Sequence, residues 1–208
     1  MDFELLFLIA ALAVALAMRP WRQLRQAALA TPLLAVLVLL PWLWAMPRMH
    51  SMPIPLQWSG ACLVLLMLGW PLAVPLLCAV AALSALWVDA PFAVLVQQAF
   101  WQGVLPATLA LAWGALLRRF VPDHIFVYTL GRGFVGTVLS LFAAQVLGQW
   151  SGQALPDVGE GTSLIAHWLV AWGDGFMTGL LTAIFVAYAP QWLATWSDQR
   201  YLHPPQRP

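Results

Sequence analysis

Two ionisable residues stand inside stretches that are otherwise apolar: Arg132, in Gly131-Arg132-Gly133, and Asp174, in Gly173-Asp174-Gly175-Phe176. A charged side chain at bilayer depth costs about 2.5 kcal/mol or more on insertion scales, so it faces protein or water and finds a partner. His167 precedes Asp174 by seven positions and Thr178 follows it by four, spacings that put all three on one helix face. A polar stripe His167/Asp174/Thr178 turned toward a helix bundle is therefore expected. An Arg132–Asp174 lock between adjacent helices is the structural reading of this set, and a substrate-linked or conformational role is the functional one.

A second constellation is Met46-Pro47-Arg48-Met49-His50-Ser51-Met52-Pro53. Thioethers from Met46, Met49 and Met52 with the His50 imidazole offer soft and borderline donors. Such donors suit Cu(I), and imidazole also suits nickel, cobalt and zinc. The prolines are expected to hold this segment out of helix and let its side chains converge; the plainer alternative is Met and His filling gaps at a membrane interface. Gln97, Gln98 and Gln102 form a further polar group that either hydrogen-bonds across helices or lines a cavity. No Gly-x-Ser-x-Gly elbow, His-Glu-x-x-His helix or Gly-rich phosphate loop occurs, so no enzymatic activity is expected. Cys62 and Cys78 both lie in apolar runs and read as small buried thiols rather than a disulfide.

The elements that must position these residues follow from composition. Hydrophobic residues make up 62% of the 208-residue chain and charged ones 8%, and the mean hydropathy is +0.83. So few polar residues cannot cover a soluble domain. A net charge of +1 gives nucleic acid nothing to recognise. A helix needs roughly 20 residues to cross the hydrocarbon core. Apolar runs at 3–18, 28–45, 56–70, 72–88, 93–117, 125–148 and 163–189 predict about seven transmembrane helices in one domain, with 190–208 as a tail. The break inside 56–88 falls around Gly69-Trp70-Pro71.

The chain has nine arginines and no lysine. Arg19, Arg22 and Arg25, then Arg118 and Arg119, then Arg200 and Arg207 all fall on one side of a seven-span arrangement. Arg48 is the only arginine of the opposite loops. The positive-inside rule then puts the amino terminus outside and the carboxyl terminus in the cytoplasm. Trp42, Trp44, Trp87, Trp150, Trp192 and Trp196 are expected at the membrane interfaces. Small residues at Thr129, Gly133, Gly136, Thr137, Ser140 and Ala144 read as a packing face. Ala11/Ala15 and Ala13/Ala17 have the spacing that suits contact with another membrane subunit.

Three stretches together resemble one family. They are Gly60-Ala61 with Leu66-Met67-Leu68-Gly69-Trp70; Pro122-Asp123-His124-Ile125-Phe126-Val127-Tyr128 with Gly133-Phe134 and Gly136; and Phe176-Met177-Thr178-Gly179, Tyr188-Ala189-Pro190-Gln191-Trp192 and Asp198-Gln199-Arg200-Tyr201-Leu202. They look like proteobacterial membrane proteins grouped with energy-coupling-factor ABC transporter permeases of the CbiM-like cobalt/nickel-uptake type. The resemblance spans residues 56–202. It implies a multi-pass inner-membrane component that binds a transition-metal ion as substrate, with no permanently bound cofactor. Its partners would be a transmembrane coupling subunit and cytoplasmic ATPase subunits. Cobalt and nickel members chelate the metal with the free amino terminus, a histidine at position 2 and a histidine in a His-Leu-Leu-Gly-Ala stretch. This chain has Asp2 and Gln57-Trp58-Ser59-Gly60-Ala61 there. Either a transition-metal ion, cobalt/nickel-like or a softer one such as copper, is held by His50 and the methionines together with Met1 and Asp2, or the chain is a non-transporting membrane scaffold or assembly protein of the same fold.

Overall fold

The computed structural model describes residues 2–25, 27–50, 58–153 and 159–202, and among them every regular element is helical. In chain order the principal helices are α1 (Asp2–Ala17), α2 (Ala30–Met49), α3 (Ala61–Leu68), α4 (Trp70–Ser84) and α5 (Phe92–Gln98). A wider π-helical stretch, Ala99–Val104, carries α5 into α6 (Leu105–Phe120). A second, Val127–Val135, leads into α7 (Gly136–Trp150); α8 (Glu160–Tyr188) and the short α9 (Asp198–Tyr201) follow. Among the described residues, four helices are long and apolar enough to cross a membrane: Ala30–Met49, Phe92–Phe120, Val127–Trp150 and Gly161–Tyr188.

Contacts between helix ends orient the bundle. Arg48 at the end of α2 reaches Ser84 at the end of α4 and Gln98 of α5; this is the upper end. The turns before α2 pack on residues 190–192, and Gln23 lies beside Gly69; this is the lower end. Large apolar side chains such as Leu6, Val38, Phe92, Leu130 and Leu169 are exposed on the bundle's outside. That distribution suits a lipid surround and not water.

The unusual element is α3. All eight of its residues are buried, as an all-round apolar helix requires. At 1.5 Å per residue it is only about 12 Å long, less than half the hydrocarbon thickness. It starts at mid-depth and descends. Gly69 then turns the chain with φ 75° and ψ 160°, a region open essentially to glycine alone. From there α4, with Pro71 in its first turn, runs back to the upper end. The 56–88 stretch is thus a half-length helix and a longer one in the middle of the bundle.

Below α3 the chain closes the bundle with its last described residues. The Ala194 amide donates to the Met67 carbonyl at 2.8 Å, and the Thr195 amide and hydroxyl donate to that of Leu66 at 3.3 and 2.8 Å. These are the carbonyls that a helix end leaves without intrahelical partners. Trp196 stacks on Tyr201 with centroids 4.9 Å apart, and Tyr128 packs edge-on against Trp196.

Several sequence expectations change here. Residues 46–49 are helical despite Pro47, because α2 runs on to Met49 with Pro41 and Pro47 inside it. Proline is tolerated in this way where neighbouring helices supply the freed backbone groups with partners. Pro47 frees the Leu43 carbonyl one turn back, and the Gln98 side-chain amide donates to the adjacent Trp44 carbonyl at 3.0 Å. Trp44 is fully buried rather than interfacial, whereas Trp42, Trp87 and Trp150 are exposed. Ala11 and Ala15 are buried in the chain's own bundle, while Ala13 and Ala17 face outward. The small residues Thr129, Gly133, Gly136, Thr137, Ser140 and Ala144 are all buried. Cys62 and Cys78 are free thiols.

Candidate binding cavity

The stripe on α8 is buried along its length: His167, Asp174 and Thr178 all face the interior, continued by Ser163 above and Thr182 below. The partner of Asp174 is not Arg132. One carboxylate oxygen of Asp174 accepts the backbone N–H of Ser59 at 2.6 Å, and the other accepts the Thr178 hydroxyl at 3.3 Å. The Gly60 amide and the Trp58 indole face the same carboxylate. Asp174 thereby receives the amino-terminal end of α3, where helix N–H groups lack partners and a carboxylate is favoured.

Ser59 is the junction of four elements. Its amide reaches α8, its carbonyl accepts the Trp44 indole N–H of α2 at 3.0 Å, and its hydroxyl donates to the Gln102 carbonyl at 2.6 Å while accepting the Ala61 amide at 3.2 Å. Nothing about a lone serine announces this. The available signal was a Ser-Gly pair immediately before an apolar run, a helix-start pattern.

Arg132 lies lower. A Cβ on Gly133 would stand 3.2 Å from Thr182, so Arg132 sits near the level of Thr182, eight residues and about 12 Å below Asp174 along α8. Its guanidinium donates to the Tyr201 hydroxyl at 3.2 Å and lies 5.3 Å from the centre of the Tyr128 ring. Tyr128 in turn hydrogen-bonds Thr195 at 2.7 Å. Arg132 therefore clasps the closing segment, and its expected pairing with Asp174 is replaced by ring and hydroxyl contacts. Changing Arg132 to Ala should loosen residues 194–201, since the cation–ring and hydrogen-bond contacts are each worth about 1 kcal/mol. Chymotrypsin cleavage after Trp196 should then speed up roughly thirtyfold, the factor that about 2 kcal/mol gives; an unchanged rate would show that Arg132 does not hold this segment.

Above Asp174 opens a cavity of about 330 Å³ between α2, α5 with its π-helical continuation, α7 and α8. Arg48, His167 and Asp174 are on its wall, with Gln97, Gln98, Gln102, Gln145 and Gln153 and the indoles of Trp44 and Trp101. Arg48, expected in a loop, belongs to the last turn of α2 and points inward. One guanidinium nitrogen donates to Ser84 at 2.9 Å and Gln98 at 2.8 Å. Its other terminal nitrogen, the Gln102 side-chain oxygen and His167 Nδ1 are buried without partners among the described residues. Gln98 both bonds across helices and lines the cavity, so the two readings of the glutamines coexist. The π-helical stretch Ala99–Val104 supplies Trp101 and Gln102, a local geometry often found at functional sites.

The Met/His segment is only partly described. Met46 is half-buried; Met49 and His50 are exposed, and His50 Nδ1 lies 3.1 Å from the Met46 carbonyl. Asp2 is exposed at the start of α1. Met1, Met52 and Gln57 lie outside the described residues, as do Asp157 and Arg207. Among the described residues, no group of three His, Cys, Asp or Glu side chains gathers in a way that could hold a metal ion. Comparison of the chain with family models, with characterised proteins and with solved structures gives no match.

Proposed function

We propose that this chain is the membrane-embedded binding component of an uptake system and that the cavity above Asp174 receives its solute. The observation that carries this reading is the cavity wall: Arg48, His167, Asp174 and five glutamines converge on one space in an otherwise apolar bundle. Polar groups at such depth are costly and mark solute or ion pathways. A cavity of this size, concave and bearing a few convergent polar groups among apolar ones, is the usual form of a small-molecule site.

In this reading α1, α2, α4, α5–α6, α7 and α8 each run from one end of the bundle toward the other, and the α3 half-helix descends from mid-depth to the lower end. The arginine-rich ends of α1 and α6 share the lower end with residues 190–202, so the lower end faces the cytoplasm and the cavity faces outward. The setting is a bacterial inner membrane, and ATPase and coupling subunits would supply the energy, as the family resemblance implies. A transition-metal substrate, the resemblance's other implication, is favoured by one observation: His167 and Asp174, an imidazole and a carboxylate, face the same cavity. Two such donors would need glutamine oxygens or water to complete a coordination shell.

The test is binding by purified, tag-free protein with its native amino terminus in lipid nanodiscs. Nickel, cobalt, zinc, Cu(I) and small polar organic solutes are titrated while heat and melting temperature are followed. Stoichiometric binding of any of them that His167→Ala or Asp174→Asn weakens about tenfold or more supports the reading. Metal binding that only His50→Ala removes would move the site to the 46–52 segment. No binding by any of them would leave the scaffold reading.

A further inference from the structure

We infer that the cavity's ligand is a small zwitterion, its anionic group on Arg48 and its ammonium group toward Asp174; this rests on the cavity being a binding site. An arginine is charged at any physiological pH. Among the described residues the partners of Arg48 are the Ser84 hydroxyl and the Gln98 amide oxygen, both neutral, and its buried Nη1 has nothing to donate to. Asp174, the acid that shares the cavity, is engaged by the Ser59 amide and the Thr178 hydroxyl instead. A cation and a carboxyl group thus open on one low-dielectric space without touching each other, where an unmatched charge is most costly. A ligand carrying both signs would match both.

The rest of the wall is graded the same way. At the Asp174 end the Gln102 side-chain oxygen is an acceptor without a donor. It is tied to this end because the Gln102 carbonyl receives the Ser59 hydroxyl. At the Arg48 end stands the guanidinium, whose Nη1 has no acceptor among the described residues. Trp44 spans the two ends, with its carbonyl at Gln98 and its indole N–H at Ser59. One tryptophan thus links the neighbours of the two charged sites, and an amino acid whose charges are separated by a few methylenes would link the sites themselves.

The experiment uses the full chain in nanodiscs with glycine, β-alanine, γ-aminobutyrate and δ-aminovalerate as probes. Butyrate and butylamine, each carrying one charge, serve as comparators. At least one amino acid should bind tenfold or more tightly than both comparators. Arg48→Gln should erase its advantage over butylamine, and Asp174→Asn its advantage over butyrate; gel filtration and melting establish that each variant is folded, and Arg48→Gln alone suffices if the other is not. Comparators that bind as tightly as the amino acids, binding of metal ions alone, or a failure of all four amino acids would overturn the zwitterion. The first two outcomes leave the cavity as a binding site. Silence from every organic probe and every metal ion removes both proposals together.

Discussion

Replacing Asp174 with alanine should cost about 2–3 kcal/mol of stability, because it leaves the buried Ser59 amide without its acceptor. That amide opens α3, and the Asp174 oxygen 2.6 Å away is its partner. The same change strips the acceptor from the Thr178 hydroxyl. Asp174→Asn keeps an oxygen at the site and should cost roughly half as much. Ser59→Ala retains the amide and loses only hydroxyl contacts, so about 1 kcal/mol is expected. Unfolding by SDS titration in mixed micelles ranks the three variants. Equal effects for alanine and asparagine would show that the accepted hydrogen bond is not what stabilises this junction.

The two glycines flanking Asp174 should respond to substitution in opposite directions. Gly175 is wedged against α7: an added Cβ would collide with the Val138 side chain and come within 3.2 Å of the Phe134 carbonyl. Gly179, one turn on, would place its Cβ 3.0 Å from that of Phe134. Close approach of backbones through small residues is how helices associate in lipid. Gly175→Val should force α7 and α8 apart at about 3 kcal/mol or more, the upper range for overpacking. Gly173 has open space where its Cβ would stand. Gly173→Ala should be neutral or stabilise by about 0.5–1 kcal/mol, since alanine is the better helix former. Melting temperatures and monomer yield on gel filtration separate the two. Equal losses at both positions would mean that the α7–α8 contact is not the constraint.

Much of this architecture could be read from residue types. Hydropathy alone marks a helical membrane protein, and helical spacing alone puts His167, Asp174 and Thr178 on the inward face of α8. Depth was not readable. Whether Arg132 meets Asp174 depends on the register between the helix that carries residues 127–150 and α8, an offset of about two turns that no local pattern records. Arg48 was hidden for a related reason. A proline one residue earlier suggested that the helix had ended, whereas α2 continues and carries the guanidinium inward. Ser59 and Trp44 matter through partners far along the chain, 115 positions away in the case of Asp174, and such pairings leave no trace in composition. The cavity itself is a joint product of four helices and belongs to none of their sequences.

The short central helix ties the middle of the chain to its end in time as well as in space. Leu66 leaves the ribosome 129 residues before Thr195, whose side chain completes the α3 carbonyl end. At 5–20 residues per second that interval is on the order of ten seconds. Throughout it, an apolar segment too short to cross the bilayer carries backbone groups that only later-made chain can satisfy. Insertion of α3 must therefore be provisional until synthesis reaches residues 194–201. A stop codon shortly after Tyr188 would remove the floor of the bundle and hand quality-control proteases a half-inserted hairpin.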